Sequence, residues 1–285
     1  MRNKPAGSVA VGIIAIAGLV VGGASAAAAP AATHHQHHGL GAALTHSTDH
    51  VHSALALRAR PADVPSSYSL SNYAAGPGDQ GQVNSCVSWA VGHTSMGLLE
   101  NEQGISGGPN APMYIYSQLV NGQNVGTYPE DNLNIAQQQG VDSESDYSQG
   151  DYDYTDTPTQ AETTNAANWR ISGYNSLATG SGLQGAVESA ISSGLPVIFS
   201  FDVYQSFEDM SQQTANDYSY ADPNDGSQPL GGHEITIVGY TDQGVTIENS
   251  WGSGWGNSGY ANLSWSFLEG AAQDAHSVGK LVASS

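Results

Sequence analysis

Cysteine occurs only once in this 285-residue chain, at Cys86. A single cysteine cannot form a disulfide within its own chain, so no covalent cross-link fixes the fold of the monomer. A free cysteine is commonly a small apolar residue of the core. The alternative is a reactive thiol, and the residues around Cys86 and far downstream of it decide between these two interpretations.

The first 30 residues are typical of a secretory signal peptide. Arg2 and Lys4 precede an apolar run over residues 9–21, and small residues follow it. The apolar run has 13 residues, whereas a helix that spans a bilayer needs about 20. A retained membrane anchor is therefore the weaker interpretation. We expect residues 1–28 to be removed, and the mature protein to be secreted, extracellular and not associated with a membrane.

Residues 29–61 form a low-complexity segment that we interpret as a pro-segment. Seven of the ten histidines lie between residues 31 and 60. Histidine-rich tracts can bind transition metals, and the competing interpretations are a disordered spacer and a pH-sensitive inhibitory arm. Arg58 and Arg60 provide a processing region near the end of this segment. We expect the segment to restrain activity until it is removed.

Beyond residue 61 the chain is strongly acidic. Only Arg170 and Lys280 are basic there, against 25 acidic residues. Such a charge repels polyanions, favours encounter with cationic substrates and keeps a secreted protein soluble. We therefore expect no nucleic-acid partner. The mature part, about 224 residues, suffices for one large domain or two small ones, and we expect a monomer.

Helical patterns gather in the first half of the chain beyond residue 61. Asn84 or Ser85 can cap a helix that begins at Cys86, and Gly104 can end it. His93 lies two turns along this helix, about 10 Å from Cys86, and is predicted to be a packing residue. The predicted helices cover residues 86–102, 113–119, 130–139 and 183–192.

Strand patterns dominate the second half. Residues 142–168 are rich in Asp, Ser, Thr and Tyr without an apolar period, and are predicted to form a long acidic loop. From residue 171 onward, apolar or alternating runs between glycine turns predict strands. A helical half followed by a β half predicts an α+β chain of two lobes, mainly helical over 62–170 and mainly β over 171–285. The predicted strands cover residues 196–202, 234–240, 244–248 and 259–263.

Two further motifs accompany the cysteine. Cys86 closes the run Gln80-Gly-Gln-Val-Asn-Ser-Cys86, and His233 and Asn249 lie in strand-like settings downstream. His233 follows Cys86 by 147 residues and Asn249 follows it by 163. Cysteine, histidine and asparagine in this order form the triad of a thiol protease. The reactive-thiol interpretation is therefore the stronger one.

These segments resemble the papain-like cysteine peptidases, and more closely the short-pro-region bacterial members of that family. The resemblance runs from about residue 64 to about residue 268, because Gly126-Thr-Tyr-Pro129 and Gly194-Leu-Pro-Val197 also fall in family order. It implies a papain-like fold with a helical lobe, an antiparallel, barrel-like β lobe, and the substrate cleft between them. It also implies catalysis without a metal or an organic cofactor.

The resemblance implies a role for each residue of the site. Cys86 is the nucleophile, His233 its general acid and base, and Asn249 orients the imidazole. Gln80 forms the oxyanion hole together with the backbone N–H of Cys86, and Trp251 shields the His–Asn hydrogen bond from water. A protonated His233 is expected to lower the pKa of Cys86, so that the pair rests as thiolate and imidazolium.

The resemblance also implies a pocket for the substrate side chain two positions from the scissile bond. Thr127 stands where the family has a second glycine, so a side chain lies where backbone and substrate approach closely. The pocket-lining residues are uncharged, which predicts a preference for an apolar side chain. The alternative is that Glu130 turns into the cleft and a basic side chain competes. The substrate-binding positions are Gly126, Thr127, Tyr128, Pro129, Ser200 and Gly232.

The sequence thus predicts a secreted cysteine endopeptidase that hydrolyses peptide bonds through an acyl-enzyme on Cys86 and is made as a zymogen. Two alternatives use the same residues. One is an exopeptidase or transpeptidase with the same triad, and the other is a catalytically silent papain-fold binding protein. Filled catalytic positions argue against the silent protein, which has no chemical need of them.

Overall fold

The computed structural model describes residues 37–43, 64–221, 223 and 226–282. The predicted signal peptide and the processing region around Arg58 and Arg60 lie outside these residues. Residues 37–43 are the part of the predicted pro-segment that the structure describes. Across the described ranges, no helix combines the length and the hydrophobicity that crossing a membrane requires.

A central helix begins at Cys86, as predicted, but its winding changes along its length. Helix α1 (Cys86–Ser88) leads into a π-helical segment, Trp89–Met96, which continues as α2 (Gly97–Gln103). Gly104 ends it with a φ of 67°, a left-handed conformation in which glycine meets no steric penalty. Residues 86–100 are all buried. The central helix therefore carries Cys86 inside the molecule, with neighbours on every side.

The two helices predicted next in the chain are present. They are α3 (Pro112–Val120) and α4 (Pro129–Gln138), and each begins with a proline. Proline is favoured in the first turn because its missing N–H would have no partner there and its fixed φ suits a helix. Pro129 thereby sets where the Gly126–Pro129 run ends and α4 starts.

The prediction of an unbroken acidic loop over residues 142–168 is wrong, because α5 (Gln160–Ala166) lies within it. The hydroxyl of Thr159 accepts the backbone N–H of Glu162, while the Glu162 carboxylate accepts the N–H of Thr159. This reciprocal capping box satisfies two donors that a helix start leaves unpaired. The Thr-x-x-Glu signature was present in the sequence, but the polarity of the stretch concealed it.

Nine strands are described, and all of their pairings are antiparallel. The four predicted strands correspond to β4 (Val197–Val203), β5 (Gly231–Tyr240), β6 (Gly244–Glu248) and β7 (Tyr260–Ser264). The other five are short: β1 (Tyr68–Ser69), β2 (Arg170–Ile171), β3 (Tyr174–Ser176), β8 (Asp274–Val278) and β9 (Leu281–Val282).

The main sheet has the strand order β3-β8-β4-β5-β6-β7, and β1 adds to β5. Strands β2 and β9 form a separate pair. Helix α6 (Leu183–Ser192) covers its predicted range, whereas three helices of this half were not predicted from the sequence. These are α7 (Gln205–Glu208), α8 (Gln212–Asn216) and α9 (Trp265–Ala271).

Two hydrophobic cores meet at β4. Phe199 and Phe201 belong to the core on the β side, whereas Ile198 belongs to the core that contains Met113 and Tyr114 of α3. Successive side chains of a strand point to opposite faces, so one strand serves both cores. The described residues form a single compact unit, and the division between residues 170 and 171 stays a prediction.

Candidate active site

His233 and Asn249 come together at one edge of the main sheet. His233 lies on β5, and Asn249 directly follows β6, the next strand in the sheet. His233 Nε2 lies 2.8 Å from Asn249 Oδ1. The same oxygen accepts the backbone N–H of Ser250 at 2.8 Å. Because Oδ1 can only accept, His233 Nε2 carries the hydrogen.

Trp251 covers this pair. Its ring stacks on the His233 ring with 4.4 Å between centroids and 25° between planes. Only 3% of Trp251 is exposed, so the indole holds water away from the imidazole face. This placement agrees with the shielding role that the resemblance implies.

Two hydrogen bonds hold Gln80 to Ser250, the residue after Asn249. Its backbone N–H donates to Ser250 O at 2.9 Å, and its Oε1 accepts the Ser250 hydroxyl at 2.6 Å. Its Nε2 is thereby left to donate, and donates to Val83 O at 2.8 Å and to Gly39 O at 2.9 Å. Ser250 was missed at the sequence level, although its place next to Asn249 was a usable signal.

Residues 37–43, which we call the covering segment, lie across Cys86. The N–H of Gly41 donates to Cys86 Sγ at 3.3 Å, and the N–H of Ala42 donates to Gly232 O at 3.0 Å. On the other wall, Thr127 N donates to Gly41 O at 2.8 Å, and Ala43 N donates to Thr127 O at 3.0 Å. These last two bonds make Ala42 and Thr127 a parallel bridge.

Two glycines permit this close passage. A Cβ on Gly39 would lie 2.0 Å from Val83 O, and one on Gly41 would lie 1.8 Å from Asn84 O. Both distances are far below contact distance, and both oxygens belong to the backbone, which cannot swing away. The covering segment can take this path only with glycine at both positions.

Thr127 does not obstruct the cleft. Its hydroxyl accepts a hydrogen bond from Asn132 Nδ2 at 3.0 Å, while its backbone N–H and C=O both bond to the covering segment. Close backbone approach is therefore retained despite the missing glycine. At Gly126 a Cβ would lie 3.0 Å from Gly41 O, so the first glycine of the run is the one that this approach requires. Tyr128 is 40% exposed.

Ser200 and Gly232, the predicted lining on the β side, are on adjacent strands. Gly232 binds Ala42 through its carbonyl oxygen. The Ser200 hydroxyl is buried between two carboxyl groups, those of Glu234 and Asp274. The predicted uncharged lining is thus backed by acidic residues that were not predicted, because neither lies near Ser200 in the sequence.

Burial controls the protonation of the nucleophile. Cys86 and His233 are both 0% exposed. Burial raises the pKa of Cys86 to about 12, although the backbone N–H groups of Glu234, Gly41 and Val87 act in the opposite direction. Burial lowers the pKa of His233 to about 3, against the hydrogen bond of Asn249. Beneath the covering segment the pair is therefore neutral thiol and neutral imidazole, unlike the expected ion pair.

His93 is a structural residue, as predicted. It is buried, and its Nδ1 lies 2.6 Å from Glu144 Oε1 while its Nε2 lies 2.8 Å from Gly76 O. Both ring nitrogens are thus engaged away from Cys86. The described ranges contain no cluster of three or more His, Cys, Asp or Glu side chains that could hold a metal ion. Most of the histidine-rich tract lies outside these ranges.

The sequence pattern of the papain family cysteine proteases matches residues 71–273. The chain belongs to the papain family. This range contains Gln80, Cys86, His233 and Asn249, and the covering segment bonds to Gln80, to Cys86 and to Gly232, the chain neighbour of His233. The expected papain-like fold is confirmed by solved structures.

Two of these structures illustrate the shared fold. Xylellain, a cysteine protease from Xylella fastidiosa, is 20% identical, with 86% of this chain and 97% of that one covered at a TM-score of 0.75. Digestive procathepsin L 3 from the larval midgut of Tenebrio molitor is 21% identical, with 78% of this chain and 72% of that one covered at a TM-score of 0.62.

A sequence relative lies in a virus. Over 84 residues the chain is 36% identical to an uncharacterized peptidase C1-like protein of Acanthamoeba polyphaga mimivirus. The matched stretch is 29% of this chain and 26% of the viral protein. The chain therefore matches only about a quarter of that relative's length.

The hydrogen bond from Ser250 to Gln80 generates a prediction for this papain-family site. Ser250→Ala should lower kcat/KM about fivefold, because a net hydrogen bond of about 1 kcal/mol no longer holds the Gln80 amide in place. Gln80→Ala alone should cost about 10²–10³ in kcat. In the Gln80→Ala background Ser250→Ala should have no further effect, as measured by steady-state kinetics on one peptide. Additive losses would contradict a role that acts through Gln80.

Proposed function

We propose that this protein is a secreted cysteine endopeptidase, made with a signal peptide and a short pro-segment. The observation that carries the proposal is the covering segment itself. A stretch of polypeptide lies across Cys86 and forms main-chain hydrogen bonds with both walls of the cleft. A cleft that binds an extended backbone in this way suits a peptide substrate. The resemblance of residues 1–28 to a signal peptide supports secretion.

The proposed reaction is acyl transfer. Cys86 Sγ attacks the scissile carbonyl carbon, and the oxyanion accepts hydrogen bonds from Gln80 Nε2 and the backbone N–H of Cys86. His233 Nδ1 takes the thiol proton of Cys86 and gives it to the departing amine. It then takes a proton from the water that hydrolyses the thioester and returns it to the Cys86 sulfur. Asn249 keeps the imidazole oriented through both steps, since its Oδ1 holds the hydrogen on Nε2.

The covering segment is held in a way that supports restraint rather than cleavage. Gln80 Nε2 holds the carbonyl oxygen of Gly39, whereas the group that meets Cys86 Sγ is the N–H of Gly41. Attack requires the carbonyl carbon of one peptide bond to lie at Cys86 Sγ while the oxygen of the same carbonyl group accepts from Gln80 Nε2. The segment thus fills the oxyanion site and faces the sulfur without presenting a scissile bond, as an inhibitory pro-segment would.

The decisive experiment for the proposed function uses the protein without residues 1–61, reduced, and an unrelated unfolded protein. We expect cuts at internal peptide bonds, mapped by mass spectrometry, and none with Cys86→Ser or without a reductant. Stepwise loss of residues from one end would indicate an exopeptidase, and joined fragments a transpeptidase. No cleavage by enzyme whose thiol reacts with an epoxide would indicate a silent binding protein.

The restraint by the covering segment predicts the behaviour of the precursor. Gly41→Ala should make the full-length protein active without processing, because the added methyl group cannot fit beside Asn84 O. We expect at least a tenfold higher initial rate than the unchanged precursor, with chain length checked by mass spectrometry. Gly185→Ala is the matched control, since a Cβ there meets nothing within 4 Å. Equal rates for all three precursors would contradict the restraint.

Two histidines anchor the start of the covering segment. His37 Nδ1 lies 2.7 Å from Glu208 Oε2, and the backbone N–H of His38 donates to Glu208 Oε1 at 2.9 Å. The His38 ring stacks on Trp251 at 4.7 Å between centroids. The hydrogen bond and the charge of Glu208 raise the pKa of His37, with a smaller contribution from Asp209. These contacts favour the pH-sensitive arm among the interpretations of the tract.

This anchor predicts how the restraint depends on pH. The contact with Glu208 raises the pKa of His37, so protonation of His37 stabilises the attachment of the covering segment. This stabilisation is complete below the ordinary pKa of 6.5 and is lost as the pH rises through the raised pKa. We expect an epoxide to label Cys86 of the full-length protein faster in Glu208→Gln than in the unchanged chain at pH 5.5. The two rates should converge above pH 8. A constant ratio of the rates would contradict this anchor.

A further inference from the structure

Three carboxyl groups converge beside the nucleophile. Cross-strand pairing in β5, β4 and β8 aligns Glu234, Ser200 and Asp274 in one row, because Ser200 pairs with Glu234 on one side and with Asp274 on the other. Residues directly opposite in neighbouring strands share a face of the sheet. The Ser200 hydroxyl contacts both carboxyl groups, at 2.9 Å in the case of Asp274 Oδ1.

The third carboxyl group comes from the opposite wall. Glu130, in the first turn of α4, lies 3.4 Å from His276 Nε2 through its Oε1, and His276 Nδ1 lies 3.9 Å from Asp274 Oδ1. The charges of Asp274 and Glu130 both act on Glu234. Carboxyl groups of the helical wall and of the β wall thus meet in one cluster, which we call the acidic pocket: Glu130, Ser200, Glu234, Asp274 and His276.

The acidic pocket adjoins the bound backbone. Ala42 of the covering segment pairs with Thr127, three residues before Glu130, and donates its N–H to Gly232, two residues before Glu234. It also shares a small hydrophobic cluster with Cys86. A residue bound as Ala42 is therefore flanked by both walls of the acidic pocket, and a methyl group brings no hydrogen bond or charge to it.

The pocket has unused binding capacity. Glu234 is 0% and Asp274 8% exposed, yet Glu234 Oε1 and Asp274 Oδ2 have no hydrogen-bond partner among the described residues. Buried carboxylate oxygens without partners are costly. A serine hydroxyl has one proton to donate, so it cannot satisfy both carboxyl groups when both are ionised. The pocket lacks a donor, preferably a charged one.

We propose that the acidic pocket binds the cationic side chain of a substrate residue two positions before the scissile bond, so that the enzyme prefers arginine or lysine there. The proposal rests on the proposed peptidase function and names its substrate class. A guanidinium or ammonium group supplies several N–H donors and the opposite charge. A preference for a basic side chain replaces the apolar preference that the four uncharged lining residues predicted, because the carboxyl groups lie directly behind those residues.

The protonation of the pocket supports this assignment. Burial, followed by the charge of Asp274, raises the pKa of Glu234 well above its ordinary range. Burial likewise raises the pKa of Asp274, although His276 opposes this. A cation that enters the pocket stabilises the ionised forms and releases protons. Preference for a basic over an apolar side chain should therefore increase with pH.

The test uses two peptides that differ only in arginine or leucine at that position, with the enzyme without residues 1–61 and active sites titrated by an epoxide. We expect kcat/KM for the arginine peptide to exceed that for leucine at least tenfold at pH 7.5. This ratio should fall as the pH is lowered to 5. The protonation of Cys86 and His233 affects the hydrolysis of both peptides equally, so its pH dependence cancels in the ratio. A ratio of one or less would overturn the proposal.

Variants locate the effect. Glu234→Gln should lower the arginine-to-leucine ratio at least fivefold, and Asp274→Asn should act in the same direction. Asp156→Asn, the same charge change on an exposed loop residue, is the control and should leave the ratio unchanged. If the epoxide finds no active sites in either pocket variant, the arginine-to-leucine ratio of the unchanged enzyme decides. Hydrolysis of the leucine peptide with an unaltered ratio in the variants would overturn the acidic pocket alone. If the enzyme hydrolysed neither of the two peptides and no unfolded protein, the proposed peptidase function would be overturned as well.

Discussion

The antiparallel pairing of β4 with β5 underlies the site and the pocket alike. It sets Phe201 opposite His233 and Ser200 opposite Glu234. The first pair supports the imidazole from the core side, and the second lines the acidic pocket. A shift of one residue would exchange the two faces of β5, so that His233 would leave Trp251 and Asn249. The same register thus determines both the catalytic geometry and the charge of the pocket.

Much of the site was predictable because its chemistry is local in the sequence. Gln80 and Cys86 are six residues apart, and Asn249 and Trp251 are two apart, so short motifs reveal them. Regular elements with strong punctuation were also predictable, as α6 illustrates. Helix α5 was missed because its residues are polar and its stability comes from a cap.

The acidic pocket could not be predicted in the same way. Glu234 and Asp274 are far apart in the chain, and only the register of β4 with both neighbours brings them together around Ser200. Sequence identifies the lining residues one by one, but not what lies behind them. The neutral state of Cys86 and His233 was missed for a related reason, because it depends on burial beneath residues that precede Cys86 by more than forty positions.

With the covering segment in place, the thiol of Cys86, the single cysteine of the chain, is buried away from solvent and protonated. Peroxides and disulfides react with thiolates far faster than with thiols, and they must reach the sulfur to do so. The proposed protection from substrate and the protection from oxidation therefore coincide in one short stretch of backbone. Under the proposed restraint, the covered protein is a storage form whose nucleophile ages slowly, and the uncovered enzyme has a chemical lifetime limited by the oxidants around it.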